Sequence, residues 1–82
     1  MSAPLLLTVL TPEGVRMSAG ADMVRLPLAD GSYGILKGHC HMLAELAPGR
    51  GQYRQDGVTS DFQVTRGIAE VRDDQVILVM DA

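Results

Sequence analysis

The chain has 82 residues and a mass of 8.8 kDa, which is enough for a single domain over residues 1–82 and too little for a second. Apolar residues make up 46% of it and charged residues 21%, which is ordinary globular usage and excludes a disordered chain. The net charge is −3 and the 7 basic residues are scattered singly, so free nucleic-acid binding is not expected. No apolar run approaches the roughly 20 residues of a membrane span, and the first residues lack the basic start of a secretory signal.

Turn-forming residues divide the chain into segments of about 5–9 residues, which is the usual length of β-strands. In chain order these turn signals are Thr11 to Gly14, Gly20, Asp30-Gly31, Gly38, Pro48-Gly49, Asp56-Gly57, Gly67 and Asp73-Asp74. Apolar and polar residues alternate in four of the segments, which predicts strands with one face in the core. The residues predicted to face inward are Leu5, Leu7 and Val9, then Val15, Met17 and Ala19, then Val24, Leu26 and Leu28, and finally Phe62 and Val64.

Two segments depart from simple alternation. Residues 76–80 are apolar on both faces, which predicts that the outer face is covered by the protein itself or by a partner. Residues 41–46 are good helix formers, but Gly38 and Pro48 leave room for barely two turns, so we interpret them as a short strand or a single turn. The pattern as a whole predicts an all-β fold, either a small sandwich or a flattened barrel.

The most reactive-looking residues are His39, Cys40 and His41. On a strand the two histidines would point the same way and could share a metal, but a zinc site needs three or four ligands and the chain has no other histidine or cysteine. Cys40 would then face away from both histidines, without a well-placed base. The glycine-rich residues 31–38 lack the spacing of a phosphate loop. We therefore predict no catalytic residue, no metal and no cofactor, and the single Cys40 fits a reducing, cytoplasmic compartment.

Four segments together carry a resemblance that none would carry alone. They are residues 7–14, a strand and turn; residues 24–27 with 30–36 and 38–39, a signature loop; residues 46–49, a Leu-x-Pro-Gly turn; and residues 67–71 with 75–79, a closing hairpin. Over about 70 residues the chain is similar to the N-terminal β-sandwich domain of the epsilon subunit of bacterial F-type (rotary) ATP synthases. Lys37, Cys40-His41 and Arg66 replace residues usual in the family, including two prolines, which predicts a freer signature loop. The chain ends where many members continue into two helices, so we expect no C-terminal helical hairpin in it.

The resemblance implies a sandwich of roughly ten short strands and no catalysis. The family's domain joins the gamma subunit to the ring of membrane-embedded c subunits, so that the rotor of the central stalk transmits torque during proton-driven ATP synthesis. The implied partners are therefore gamma and the c-ring, with one copy per complex. Membrane contact is expected only through the complex, at the cytoplasmic face of the bacterial inner membrane. The residues expected at the c-ring contact are Asp30, Gly31, Ser32, Tyr33, Gly34, His39 and Met42. Those expected at the gamma contact are Thr11, Leu43 and Ala44.

Two other functions stay open from the residues alone. A free-standing β-barrel could bind a ligand in a pocket lined by methionines, although methionines also fill irregular gaps in cores. The methionines concerned are Met17, Met23, Met42 and Met80. A metal or redox sensor would instead use His39, Cys40 and His41. Tyr33, one of three aromatic residues, is expected either to anchor an interface from an exposed loop or to cover the end of the sandwich.

Overall fold

The computed structural model describes residues 4–82, and these form nine β-strands and no helix. The strands are β1 (Leu5–Thr11), β2 (Gly14–Ala21), β3 (Met23–Leu28), β4 (Gly31–Ile35), β5 (Met42–Leu46), β6 (Gly49–Gln55), β7 (Val58–Val64), β8 (Gly67–Arg72) and β9 (Gln75–Met80). The all-β prediction is confirmed, and the helix-forming residues 41–46 belong mainly to strand β5. Residues 4–82 hold no helix that could cross a membrane.

The strands are hydrogen-bonded in the order β2-β1-β9-β8-β5-β3-β6-β7, with β4 added to β3. Neighbours run antiparallel except β1 and β9, which are parallel. β3 and β5 meet only at the pair Leu28 and Leu46, where the sheet turns from one half to the other. Buried side chains from both halves form a single apolar cluster, so the halves face each other as the two layers of a sandwich.

The core confirms most of the predicted alternation. Leu5, Leu7 and Val9 are all buried, and so is every second residue of β3 and β9. The buried hydrophobic residues are Leu5, Leu7, Val9, Ala21, Val24, Leu26, Leu28, Ile35, Leu46, Val64, Ala69, Val71, Val76, Leu78 and Met80. Because no side-chain nitrogen or oxygen within residues 4–82 is buried without a partner, this core carries no polar penalty.

Val15 is the exception to the predicted alternation. Val9 pairs with Met17, but the next residue of β1, Leu10, pairs with Val15, so Arg16 is the extra residue of a β-bulge. One extra residue reverses the alternation, and Val15 therefore lies on the outward face beside Leu10, with 65% of its surface exposed. The prediction that Val15 faces the core is wrong for this reason.

Aspartates form two of the tight turns. Asp73 and Asp74 join β8 to β9 with φ of 50° and 61°, and Asp56 (φ 53°) with Gly57 (φ 80°) joins β6 to β7. Two successive residues with positive φ give the turn that matches the twist of antiparallel strands, and Asp tolerates this conformation better than most residues. The turns predicted at both positions are confirmed.

Candidate binding surface on the outer sheet face

An apolar row crosses the outer face of four neighbouring strands. Val15 of β2, Leu10 of β1, Val79 of β9 and Ile68 of β8 are cross-strand neighbours in that order. Val79 is 51% exposed and Ile68 42%, and Leu10 is half-buried. We call these four residues the apolar row. Contiguous exposed apolar side chains on a small protein mark a site of protein interaction.

A second line of side chains runs beside the apolar row. Thr8, Ile77, Glu70 and Leu43 are cross-strand neighbours on β1, β9, β8 and β5. Leu43 is 74% exposed, more than any other large hydrophobic residue of the described chain. The outer face of residues 76–80 is thus left partly open by the described residues, which favours the predicted alternative that a partner covers it.

Carboxylates border the apolar row on the β8 and β5 side. Glu45 is the cross-strand partner of Ile68, and Glu70 lies on the same outward face. The Arg72 guanidinium lies 3.9 Å from Glu70 (Nη1 to Oε2) and 3.9 Å from Asp73 (Nε to Oδ2). Ion pairs this long and this exposed contribute little to stability, so these charges are available to a partner. A shallow groove of about 380 Å³ follows this border, lined by His41, Met42, Leu43, Glu70, Val71 and Arg72.

The β3–β4 turn holds the first of the residues predicted to contact the c-ring. Ala29 and Asp30 form the turn, and Gly31 begins β4 with φ of 137°, a conformation that glycine adopts most easily. The Tyr33 hydroxyl donates a hydrogen bond to Asp30 Oδ2 over 3.1 Å. This hydrogen bond, together with the nearby negative charge, raises the pKa of Tyr33 because both disfavour the tyrosinate.

Ser32, Tyr33 and Gly34 lie within strand β4 rather than in the exposed loop that the sequence suggested for Tyr33. β4 pairs with β3 alone and is an edge strand, so Ser32 and Tyr33 remain on the surface although the backbone is regular, and only Ile35 at its end is buried in the core. The correction has a physical reason: the loop is only two residues long, and a two-residue turn requires paired strands on both sides of it.

His39 lies at the opposite end of β4 from Asp30, in the segment that joins β4 to β5. This segment rests on the β8–β9 turn, where the Gly38 backbone N–H donates to Asp74 Oδ1 over 2.8 Å. His41 Nε2 lies 3.5 Å from Asp73 Oδ1. The residues predicted to contact the c-ring are therefore divided between the two ends of β4 and do not form one cluster.

Met42 and the residues predicted to contact gamma are also separated. Met42 and Ala44 face inward and pack against the core, whereas Leu43 between them lies on the outer face. Thr11 ends β1, which is separated from β5 by β9 and β8. Its hydroxyl oxygen accepts a hydrogen bond from the Glu13 backbone N–H over 3.3 Å. Sequence reasoning indicated this surface only at residues 76–80, which are apolar on both faces. It missed that Val15, Leu10 and Ile68 lie beside them.

The structure does not bring the three most reactive residues into a site. Residues 39–41 are not a strand, so the condition under which both histidines were expected to point the same way is not met. Cys40 is exposed, and His39 Nδ1 donates to the Cys40 carbonyl oxygen over 2.8 Å. Within residues 4–82, no three His, Cys, Asp or Glu side chains lie close enough together to hold a metal ion.

These features define a class of protein: a small β-sandwich with an exposed, acid-bordered apolar sheet face, which is typical of a binding domain. Residues 4–82 match the family described as the β-sandwich domain of the ATP synthase Delta/Epsilon chain, and the chain belongs to this family. This confirms the resemblance found in the sequence.

Curated relatives carry the name ATP synthase epsilon chain. That of Symbiobacterium thermophilum is 44% identical over 81 residues, covering 98% of this chain and 58% of the relative. That of Magnetococcus marinus is 36% identical over 75 residues, covering 92% of this chain and 55% of the relative. The chain thus spans a little over half the length of these relatives.

Solved structures show the same fold at lower identity. A chain of the Euglena gracilis mitochondrial ATP synthase (OSCP/F1/c-ring) superposes with a TM-score of 0.88 at 21% identity, covering 100% of this chain and 53% of that one. A chain of the Tetrahymena thermophila mitochondrial ATP synthase central stalk and c-ring superposes with a TM-score of 0.76 at 19% identity, covering 99% and 66%. The β-sandwich predicted from the sequence is confirmed by the nine strands of the structure and by the description of the matching family.

Proposed function

We propose that the chain is a non-catalytic rotor subunit of the central stalk of an F-type ATP synthase. It joins the gamma subunit to the c-ring and so couples proton-driven rotation to ATP synthesis. The observation that carries this proposal is the apolar row, which gives the sandwich an exposed apolar surface for a protein partner. Its relatives are named epsilon chains, and the solved structures with this fold come from ATP synthase assemblies with a central stalk or c-ring.

The gamma subunit is the partner proposed for the apolar row. Covering an aliphatic side chain that is about half exposed contributes on the order of 1 kcal/mol, and the row offers four of them. Leu43, which the resemblance implies for the gamma contact, extends this surface onto β5. A rotor part must hold its partner without slipping, and a broad apolar contact on a stiff sheet does this without any reactive group.

The c-ring contact is proposed for the β3–β4 turn and strand β4, residues 30–34. This surface belongs to the other half of the sheet from the apolar row, so gamma and the c-ring could be held at the same time. The Tyr33 hydrogen bond to Asp30 stiffens the turn before it meets a partner. His39 and Met42, which lie away from this turn, remain predictions.

The remaining features of the proposal follow from this assembly. One copy would sit in each complex, peripheral to the membrane at the cytoplasmic face of the bacterial inner membrane, and would touch the membrane only through the complex. The methionine positions do not favour a ligand pocket, since Met80 is buried in the core and Met17 and Met42 pack against it.

The test is binding of the chain to a catalytic head that contains gamma but was purified without its epsilon chain. Val79→Asp places a carboxylate in the middle of the apolar row, and we expect it to abolish co-elution on gel filtration because the charge would be buried unpaired. Val58→Asp is the matched control, because Val58 is 66% exposed on strand β7, away from the row. Circular dichroism verifies that both variants are folded. Wild-type chain that fails to co-elute, or a folded Val79→Asp that binds like Val58→Asp, would overturn the proposal.

A further inference from the structure

Glu70 is a carboxylate set within the apolar surface. Its chain neighbours on β8, Ala69 and Val71, are buried in the core, so Glu70 points to the outer face. Its cross-strand neighbours are Ile77 on β9 and Leu43 on β5, both apolar. The carboxylate is therefore flanked on both sides by side chains that a partner would cover.

A partner that covers the apolar row also covers Glu70. Glu70 lies on the same strand as Ile68, two residues further along, which is only about 7 Å away on the same face. Removing a carboxylate from water without pairing it costs more than burying one aliphatic side chain returns. The interface is favourable only if something neutralises this charge.

The chain itself supplies too little positive charge for this purpose. Arg72 lies 3.9 Å from Glu70, beyond hydrogen-bond distance, and is equally close to Asp73. Glu45, opposite Ile68, adds a further carboxylate to the same border. Two carboxylates thus share the Arg72 guanidinium, Glu45 has no salt bridge to it, and the border of the apolar row is acidic.

We infer that the gamma surface that covers the apolar row presents a Lys or Arg side chain that pairs with Glu70. This inference rests on the proposed function and specifies the chemistry of the partner's contact surface, which is apolar along its length and cationic at one edge. The pair also sets the orientation of docking. An apolar surface could lie along the row in either direction, but only one direction brings the cation to Glu70 rather than to the Val15 end.

The experiment measures the affinity of the epsilon-free catalytic head for the wild-type chain and for Glu70→Gln. Glutamine keeps the size of the side chain and removes its charge. If a cation faces Glu70, we expect Glu70→Gln to bind about tenfold more weakly or worse, and to lose affinity less steeply as salt is added. Asp56→Asn is the matched control, a carboxylate-to-amide change in the β6–β7 turn at φ 53°, which asparagine also adopts. It should bind within about twofold of wild type.

Whether Glu70→Gln weakens binding to the catalytic head decides the inference. Glu70→Gln that binds as tightly as wild type, or more tightly, would show that no cation meets the carboxylate and would overturn the inference. The proposed function still stands if Glu70→Gln gives this result, provided that the wild type binds and Val79→Asp does not. Failure of the wild type to bind would overturn both. Melting curves of the Gln and Asn variants within a few degrees of wild type establish that affinity, not folding, has changed.

Discussion

Gly67 occupies a position where no side chain fits. It begins β8, where this strand pairs with Leu46 of β5 on one side and with Met80 of β9 on the other. A Cβ added at Gly67 would overlap the carbonyl oxygen of Val79 and lie 2.9 Å from the Met80 Cα. Because both neighbours are backbone atoms, no rotation of a side chain can relieve the contact. We therefore expect Gly67→Ala to push β9 away from β8 at this end of the closing hairpin.

The expected loss of stability comes from hydrogen bonding and packing together. Separating the strand ends breaks one or two backbone hydrogen bonds, each contributing about 0.5–1.5 kcal/mol. It also loosens Met80, which is 2% exposed in the core. Together these effects amount to about 2–4 kcal/mol. At this chain length 1 kcal/mol corresponds to about 6 °C, so the Tm should fall by roughly 10–25 °C.

Thermal unfolding followed by circular dichroism measures this effect. Gly34→Ala is the matched control, because Gly34 also lies in a strand and its added Cβ would approach only the Arg25 guanidinium, at 3.3 Å. The end of an arginine side chain moves easily, so Gly34→Ala should melt within a few degrees of wild type. A Gly67→Ala variant that melts within about 3 °C of wild type would refute the steric reasoning.

Two further predictions concern the β3–β4 turn. The hydrogen bond to Asp30 and the charge of Asp30 raise the pKa of Tyr33, so Tyr33 should ionise above the usual tyrosine pKa. Asp30→Asn should lower the pKa of Tyr33 toward the usual value. Ultraviolet titration measures this pKa in a Tyr53→Phe background. Because the pKa of Tyr33 is higher in the folded than in the unfolded state, this hydrogen bond stabilises the fold below the unfolded pKa, and the stabilisation is lost as pH rises through the folded pKa. An unchanged Tyr33 pKa in Asp30→Asn would contradict the prediction. Ser32→Arg should reduce proton-driven ATP synthesis in membranes reconstituted with the complex while binding to the catalytic head stays within about twofold. The control is Thr59→Arg, a change on the exposed surface of β7. If Ser32→Arg and Thr59→Arg support equal ATP synthesis, residues 30–34 do not form the c-ring contact.

The strands and turns were predictable because their signals are local. Leu5, Leu7 and Val9 alternate with less buried residues, and alternation alone places one face of β1 in the core. Asp56-Gly57 and Asp73-Asp74 mark tight turns because Gly and Asp adopt positive φ at low cost. These short-range patterns, together with the family resemblance, were enough to predict the all-β fold without knowing how the strands pair.

The binding surface could not be predicted from the same patterns. The bulge at Arg16 turns Val15 outward, and nothing in the local alternation of β2 signals the extra residue. The apolar row then depends on the parallel pairing that sets Leu10 beside Val79, residues from the two ends of the chain. Glu70 likewise looks like an ordinary exposed acid until β9 and β5 place Ile77 and Leu43 beside it. Local sequence determined most of the strands and, in β1 and β3, which face is apolar. Only the tertiary structure decided which outward residues meet, because the register between distant strands follows from packing of the whole core.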